Sequence, residues 1–241
     1  GAFALSPFWM PTMAHMKRLE KLTGFGNVQM VKVERPDPDP DQMLVKVSRS
    51  LISRGSEIFR RYVLEEAVSP DIMGYSDAGQ VVAIGHEIVE FSVGQRVMVN
   101  APHAQYVLAH ETGSRKQAYA LDDELGHEAA TFLPLATSSV MWMRTTPIDP
   151  GQTVVILGQG IVGALCAQIV RERSPGSVIT VDAQPLRCEI SSKLGSDHVI
   201  DVSNTDSVKA VKELTNGKGA DVVIECVGGN TGIRSFEQAQ E

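Results

Sequence analysis

Residues Val154 to Gly163 read Val-Val-Ile-Leu-Gly-Gln-Gly-Ile-Val-Gly, so an apolar run passes directly into Gly-x-Gly-x-x-Gly. Val178-Ile-Thr-Val-Asp182 then ends on an acid nineteen positions past the last glycine. A strand, a tight turn, a helix and a second strand are predicted, arranged as a dinucleotide cradle. Gly158 permits the tight turn, Gly160 lets backbone approach a pyrophosphate, and Gly163 lets the helix pack close to the strand. The helix opens at Ile161 and Val162 and continues its apolar face through Leu165, Ile169 and Val170. Its first N–H groups have no partner within the helix and carry partial positive charge, which suits phosphate. Asp182 is placed to accept hydrogen bonds from the adenosine ribose, and its charge repels a 2′-phosphate, so NAD is expected over NADP. Arg187 is a candidate to lie over the ribose or adenine, or else a solvated arginine at a helix start. Val227, just past the apolar segment ending at Cys226, is a further cofactor-side candidate.

Working outward, the chain has two textures. From Val28 to about Ala109, short apolar segments (Val28–Val33, Met43–Val47, Gly79–Ile84, Arg96–Val99, Tyr106–Ala109) alternate with turn signals such as Pro36-Asp-Pro-Asp-Pro40 and Ser92-Val-Gly94. A largely antiparallel β domain over 17–124 is expected. From 125 to 241, strand and helix patterns alternate, which predicts a parallel doubly wound sheet. Residues 1–16 read as a tail. The predicted α/β sheet of the second domain contains four strands, ending near Leu157, Val181, Val202 and Cys226. A complete dinucleotide domain has six, so the expectation is a fragment of a longer product.

Composition excludes several classes. With 241 residues, 43% hydrophobic and 21% charged, the chain can bury a substantial core, and its net charge of −7 offers no footprint for nucleic acid or an anionic membrane. No apolar run reaches the length of a membrane span. Three cysteines (Cys166, Cys188, Cys226) form no Cys-x-x-Cys pair, against both a disulfide framework and a Cys₄ zinc lobe. A cytoplasmic enzyme with a small-molecule substrate is expected, with homo-oligomerisation left open.

The chain is similar to the medium-chain dehydrogenase/reductase family of zinc alcohol dehydrogenase type. Gly74-Tyr-Ser-Asp-Ala-Gly79-Gln-Val-Val with Val93-Gly-Gln-Arg-Val97 resembles the family's Gly-His-Glu…Gly-x-Val…Val-Gly-Asp-Arg-Val segment. His103-Ala-Gln-Tyr-Val107 resembles Phe-Ala-Glu-Tyr-Val, and Leu133-Pro-Leu-Ala-Thr137 resembles Glu-Pro-Leu-Ala-Thr. The resemblance implies a GroES-like β domain followed by a Rossmann domain, here incomplete. It also places Thr137 beside the nicotinamide.

The departures bear on mechanism. The family's Cys-Gly-Thr-Asp is Arg54-Gly55-Ser56-Glu57, its zinc histidine is Tyr75, and its third ligand is Leu133. These side chains do not make a tetrahedral zinc site, so no catalytic zinc is expected. Asn100-Ala-Pro-His103 replaces the cysteine lobe, so no structural zinc is expected either. The literal Gly85-His86-Glu87 follows an apolar strand, and His86 reads as a turn histidine. His103, His110, His127 and His198 have no ligand-spaced partner and receive no role.

Charge developing on a carbonyl oxygen must then be stabilised by other groups. Ser56 matches the family hydroxyl that relays the substrate proton and is the first candidate. Tyr75 can donate a hydrogen bond, and Arg54 can supply fixed charge. Tyr75 as a void-filling aromatic and Arg54 in an ion pair with Glu57 or Glu65 are the competing readings. The expected function is an NAD-dependent, zinc-independent oxidoreductase of alcohols, polyols or carbonyl compounds. The alternatives are an enoyl or quinone reductase using NAD(P)H, or a nucleotide-binding protein without catalysis.

Overall fold

The computed structural model describes residues 14–111, 117–173, 175–229 and 232–240. They fall into two compact units, the first ending at Pro134 and the second starting at Leu135.

In the first unit, β1 (His15–Lys21) and β2 (Val28–Glu34) form an antiparallel hairpin. Strand β1 takes in His15 and Met16 from the edge of the stretch read as a tail. Five further strands, β3 (Met43–Ser50), β4 (Asp77–Ile84), β5 (Arg96–Val99), β6 (Tyr106–Ala109) and β7 (Ala118–Ala120), make an antiparallel sheet in the order β6-β3-β4-β5-β7. Their inward residues Met43, Val45, Val81, Val97, Val99 and Val107 close a core with Ile88 and Phe91. Each such buried side chain contributes roughly 1.5–3 kcal/mol.

The short helix α1 (His127–Ala130) belongs with this unit. Arg96 anchors its approach, donating to the Asp122, Asp123 and Leu125 carbonyls and to His127. The Ser76 hydroxyl donates to the Thr131 carbonyl at the helix end. His86 is exposed in a turn, as its sequence context predicts.

Helix α2 (Leu133–Thr145) leads into the second unit, where α3 (Ile161–Arg171), α4 (Pro185–Lys193), α5 (Ser207–Leu214) and α6 (Gly232–Gln238) alternate with strands. Strands β8 (Thr153–Leu157), β9 (Ser177–Asp182), β10 (His198–Asp201) and β11 (Val222–Glu225) pair in parallel in the order β10-β9-β8-β11. Counted from β8, that order is 3-2-1-4, the start of the doubly wound arrangement. One face of β8 buries Val154 and Ile156 with Cys166 and Val170 of α3, and the other buries Val155 and Leu157 with Ile179 and Val181. Burial on both faces explains why these strands read as continuous apolar runs. Helix α4 starts with Pro185 in its first position, where a missing N–H costs nothing.

Candidate functional site

In the second unit the glycine turn is built as its spacing requires. Gly158 adopts φ +85° and donates its N–H to the Val181 carbonyl at 2.8 Å, tying the turn to β9. Gly160 caps α3, and a Cβ there would meet nothing within 4 Å. A Cβ on Gly163 would lie 2.9 Å from the Gly158 carbonyl carbon, closer still to its oxygen, and 3.4 Å from Cys226 Cβ. Val227 closes the other side, its Cγ2 2.9 Å from where a Gly158 Cβ would stand. Gly158 and Gly163 therefore answer to the protein's own packing, whereas Gly160 leaves open space above a helix N-terminus. That open cradle fits a pyrophosphate.

Asp182, the last residue of β9, is 7% exposed and doubly held. The Gln159 N–H donates to its Oδ2 at 2.7 Å and the Gln184 N–H to its Oδ1 at 2.8 Å. Oδ1 retains a second lone pair for a ribose hydroxyl. Arg187 on α4 reaches the same carboxylate, its Nη1 3.5 Å from Oδ2. Below the turn, the buried Gln159 amide donates to the Ile156 and Gly158 carbonyls, and the Ser191 hydroxyl lies 3.2 Å from Gln159 Oε1 and 2.7 Å from Thr180 Oγ1, its single proton serving one of them at a time. This network, absent from the sequence reading, locks the turn against α4. On α3, Ile161 is exposed and Val162 half-buried; on α2, Thr137 is exposed. Cys226 packs with Cys166 in the core beneath the turn.

In the first unit, Arg54, Ser56 and Tyr75 lie on two short segments. Arg54–Ile58 forms one wide helical turn, in which Ile58 bonds back to the Ser53 carbonyl and Ser53 Oγ accepts from the Ser56 N–H at 3.4 Å. Arg54 is exposed with its guanidinium 4.9 Å from the Phe59 ring centre, while Ser56 and Tyr75 are half-buried. Glu57 makes its ion pair with His103 rather than with Arg54: His103 Nε2 lies 2.8 Å from Glu57 Oε1. His103 Nδ1 faces the Ser50 hydroxyl and, at 3.7 Å, Asp77 Oδ1. Glu57 and Asp77 are fully buried and His103 is 7% exposed.

Burial works against the imidazolium, but the facing Asp77 and Glu57 outweigh it and push His103 up to about 9. Burial likewise works to raise Glu57, yet His103 and the Ser53 N–H bring it below its usual value. Burial lifts Asp77 above its own. The sequence reading gave His103 and Asp77 no role. A usable signal was the simultaneous departure from the family at two places, histidine for phenylalanine at 103 and glutamate for aspartate at 57.

As a test of metal fit, the donor set is decisive. Position 54 offers a guanidinium, 75 a phenol and 133 an alkyl chain, none of them a zinc donor under ordinary conditions. His103 spends both ring nitrogens on protein partners. The residues present do not fit the family's catalytic zinc.

Residues 39–132 match the alcohol dehydrogenase GroES-like domain and residues 162–240 the zinc-binding dehydrogenase domain. The second match contains none of positions 54, 75 and 133, so its description does not bear on them. Among curated proteins, sorbitol dehydrogenase of Bacillus subtilis is 26% identical, covering 87% of this chain and 69% of its own length. D-arabitol-phosphate dehydrogenase of Enterococcus avium is also 26% identical, over 85% and 66%. Among solved structures, a zinc-binding dehydrogenase of Sinorhizobium meliloti 1021 bound to NADP superposes with TM-score 0.77 at 26% identity, covering 94% of this chain and 74% of its own. A quinone oxidoreductase of Pseudomonas syringae gives 0.73 at 25%, over 93% and 70%. With a GroES-like domain followed by a glycine-turn parallel sheet, this chain belongs to the medium-chain dehydrogenase/reductase family and is an alcohol dehydrogenase-like oxidoreductase.

Proposed function

We propose that the chain is the metal-independent, NAD-dependent oxidoreductase of an alcohol, polyol or corresponding carbonyl compound. The observation that carries this reading is Asp182, held by two backbone N–H groups at the end of β9 next to the open turn at Gly160. A carboxylate fixed in that place accepts from ribose hydroxyls and repels a 2′-phosphate. Gly160 with Ile161 and Val162 at the start of α3 would hold the pyrophosphate in the turn that Gly158 and Gly163 shape, and Asp182, Arg187, Val227 and Thr137 would line the rest of the cofactor. When bound, the nicotinamide supplies or accepts the hydride.

The protein's own part is proton handling and charge stabilisation. In the oxidation direction the substrate loses a hydride and a hydroxyl proton; in reduction the carbonyl oxygen gains that proton. The Ser56 hydroxyl is suited to pass it, while Tyr75 donates to the developing oxyanion and Arg54 contributes fixed positive charge. No step needs a metal. The names of the relatives, sorbitol and D-arabitol-phosphate dehydrogenases, favour a polyhydroxylated substrate. The quinone oxidoreductase neighbour supports a second reading, reduction of a conjugated carbonyl. The NADP-bound neighbour weighs against strict NAD use.

Initial rates with NADH and NADPH against polyol-derived ketoses, simple aldehydes and quinones separate these readings. The expected result is NADH-dependent reduction of ketoses or aldehydes that survives exhaustive chelation. A preference for NADPH, or turnover only with quinones, would replace the first reading by the second.

A further inference from the structure

The buried cluster around His103 is not used by the chemistry above, yet both segments carrying candidate polar groups rest on it. Glu57 lies within the turn that presents Ser56. Its Oε2 accepts from the Ser53 N–H at 2.7 Å, and its Oε1 accepts from His103 Nε2 at 2.8 Å and from the Tyr62 hydroxyl at 3.5 Å. The His103 N–H donates to the Met73 carbonyl at 2.8 Å, and the His103 carbonyl accepts from Leu19 at 2.9 Å. Gly74, beside Tyr75, runs so close to His103 that a Cβ there would stand 2.7 Å from its nitrogen and 2.9 Å from its ring. His103 thus ties the Ser53–Phe59 turn through its ring and the Met73–Ser76 segment through its main chain, while the same ring faces Asp77, the residue after that segment.

The charges facing the ring are Glu57 on one side and Asp77 on the other, with Ser50 beside Asp77 and Arg61 acting on Glu57 from beyond. Among the described residues, neither oxygen of Asp77 has a hydrogen-bond partner. A neutral imidazole donates from one nitrogen only. With Nε2–H given to Glu57, a neutral ring's Nδ1 could only accept, from the Ser50 hydroxyl, which leaves the Asp77 carboxyl group without a donor from the ring and no cation between the two buried acids. The imidazolium resolves both conflicts. Three charged groups out of water are a costly way to stabilise a core, since an apolar trio of similar volume does as well. What such a cluster adds is a single permitted geometry.

We propose that His103 is a positioning residue, an imidazolium clamped between Glu57 and Asp77 that fixes the segments presenting Ser56 and Tyr75. This rests on the role given above to Ser56 and Tyr75. His103 itself moves no substrate proton. Its effect on turnover passes through Ser56.

The test replaces His103 with phenylalanine, the residue the family pattern carries there, and in parallel makes Glu57→Gln, which keeps shape and removes the charge. Amide hydrogen exchange is followed in the full chain. The expected result is faster exchange, by about tenfold or more, at Glu57, Ile58 and Phe59, with Val97 and Val99 in β5 unchanged. In steady-state kinetics kcat falls by roughly 10- to 100-fold, as for a small misplacement of a working group, with KM for NADH unchanged. Combining His103→Phe with Ser56→Ala should lower kcat no further than Ser56→Ala alone. A structural role alone would give multiplicative losses instead. Unchanged exchange in both variants, or multiplicative losses in the double variant, overturns the proposal. If the wild type transfers hydride to no substrate, the functional reading fails, and the exchange data still decide whether the clamp exists.

Discussion

Replacing Gly163 and Gly160 by alanine, one at a time, separates a glycine needed by the protein from a glycine needed by its ligand. At 163 the new Cβ would lie 2.9 Å from the Gly158 carbonyl carbon, against an ordinary carbon–carbon contact of about 3.5–4.0 Å. Because the carbonyl oxygen is closer still, helix α3 or the turn must retreat by more than about 1 Å. The obstacle is backbone, and Gly158 already sits at φ +85°, so relief by a side-chain rotation is not open to it. Overpacking of this kind costs about 1–3 kcal/mol, and a rigid backbone obstacle puts the expectation near 3. For a unit of this size, that lowers Tm by roughly 10 °C or more. At 160 the Cβ meets nothing within 4 Å, so Gly160→Ala should melt at or slightly above the wild-type temperature. Its dinucleotide affinity should nevertheless fall more than about tenfold, since a methyl group enters the space assigned to the pyrophosphate. Calorimetric melting and isothermal titration with NAD measure both quantities. Wild-type NAD affinity in Gly160→Ala, or an unshifted Tm in Gly163→Ala, would refute the division of labour.

Three other expectations follow from the same geometry. Asp182→Ser removes the charge that repels a 2′-phosphate and should move the NAD/NADP affinity ratio towards NADP by at least about tenfold; an unchanged ratio would show that Asp182 does not meet the ribose. Elemental analysis of purified protein should find no stoichiometric zinc, and one tightly held equivalent would contradict the argument from Arg54, Tyr75 and Leu133. His103 titrates at about 9 when folded against an ordinary 6.5, so its contribution to stability is fully present below 6.5 and disappears as pH rises through 9. That difference corresponds to roughly 3 kcal/mol, and urea unfolding of wild type and His103→Gln between pH 6 and 10 should show their stability gap closing with rising pH. A gap independent of pH would mean that His103 is buried neutral.

The parts of this chain that the sequence determined are those whose physics is local. Gly158, Gly160 and Gly163 lie within six positions, and their requirements, a positive φ, an open approach and a close helix, arise from one turn. Strands β8 and β9 are buried on both faces and so betray themselves as apolar runs. By contrast, β1 reads His-Met-Lys-Arg-Leu-Glu-Lys and is a strand only because β2 pairs with it, while β7 is three residues long at a sheet edge. Neither has the alternation that marks a half-buried strand.

The candidate site divides in the same way. Asp182 was legible because β9 ends where the nucleotide fold puts an acid; that two backbone N–H groups clamp it was not, since Gln159 lies 23 residues away. His103 lies 46 residues from Glu57 and 53 from Ser50, and no periodicity or spacing connects them. Only the folded sheet brings these groups together. Once buried there, two carboxylates need a cation, and that need, a property of the low-dielectric interior rather than of any segment, decides the state of His103.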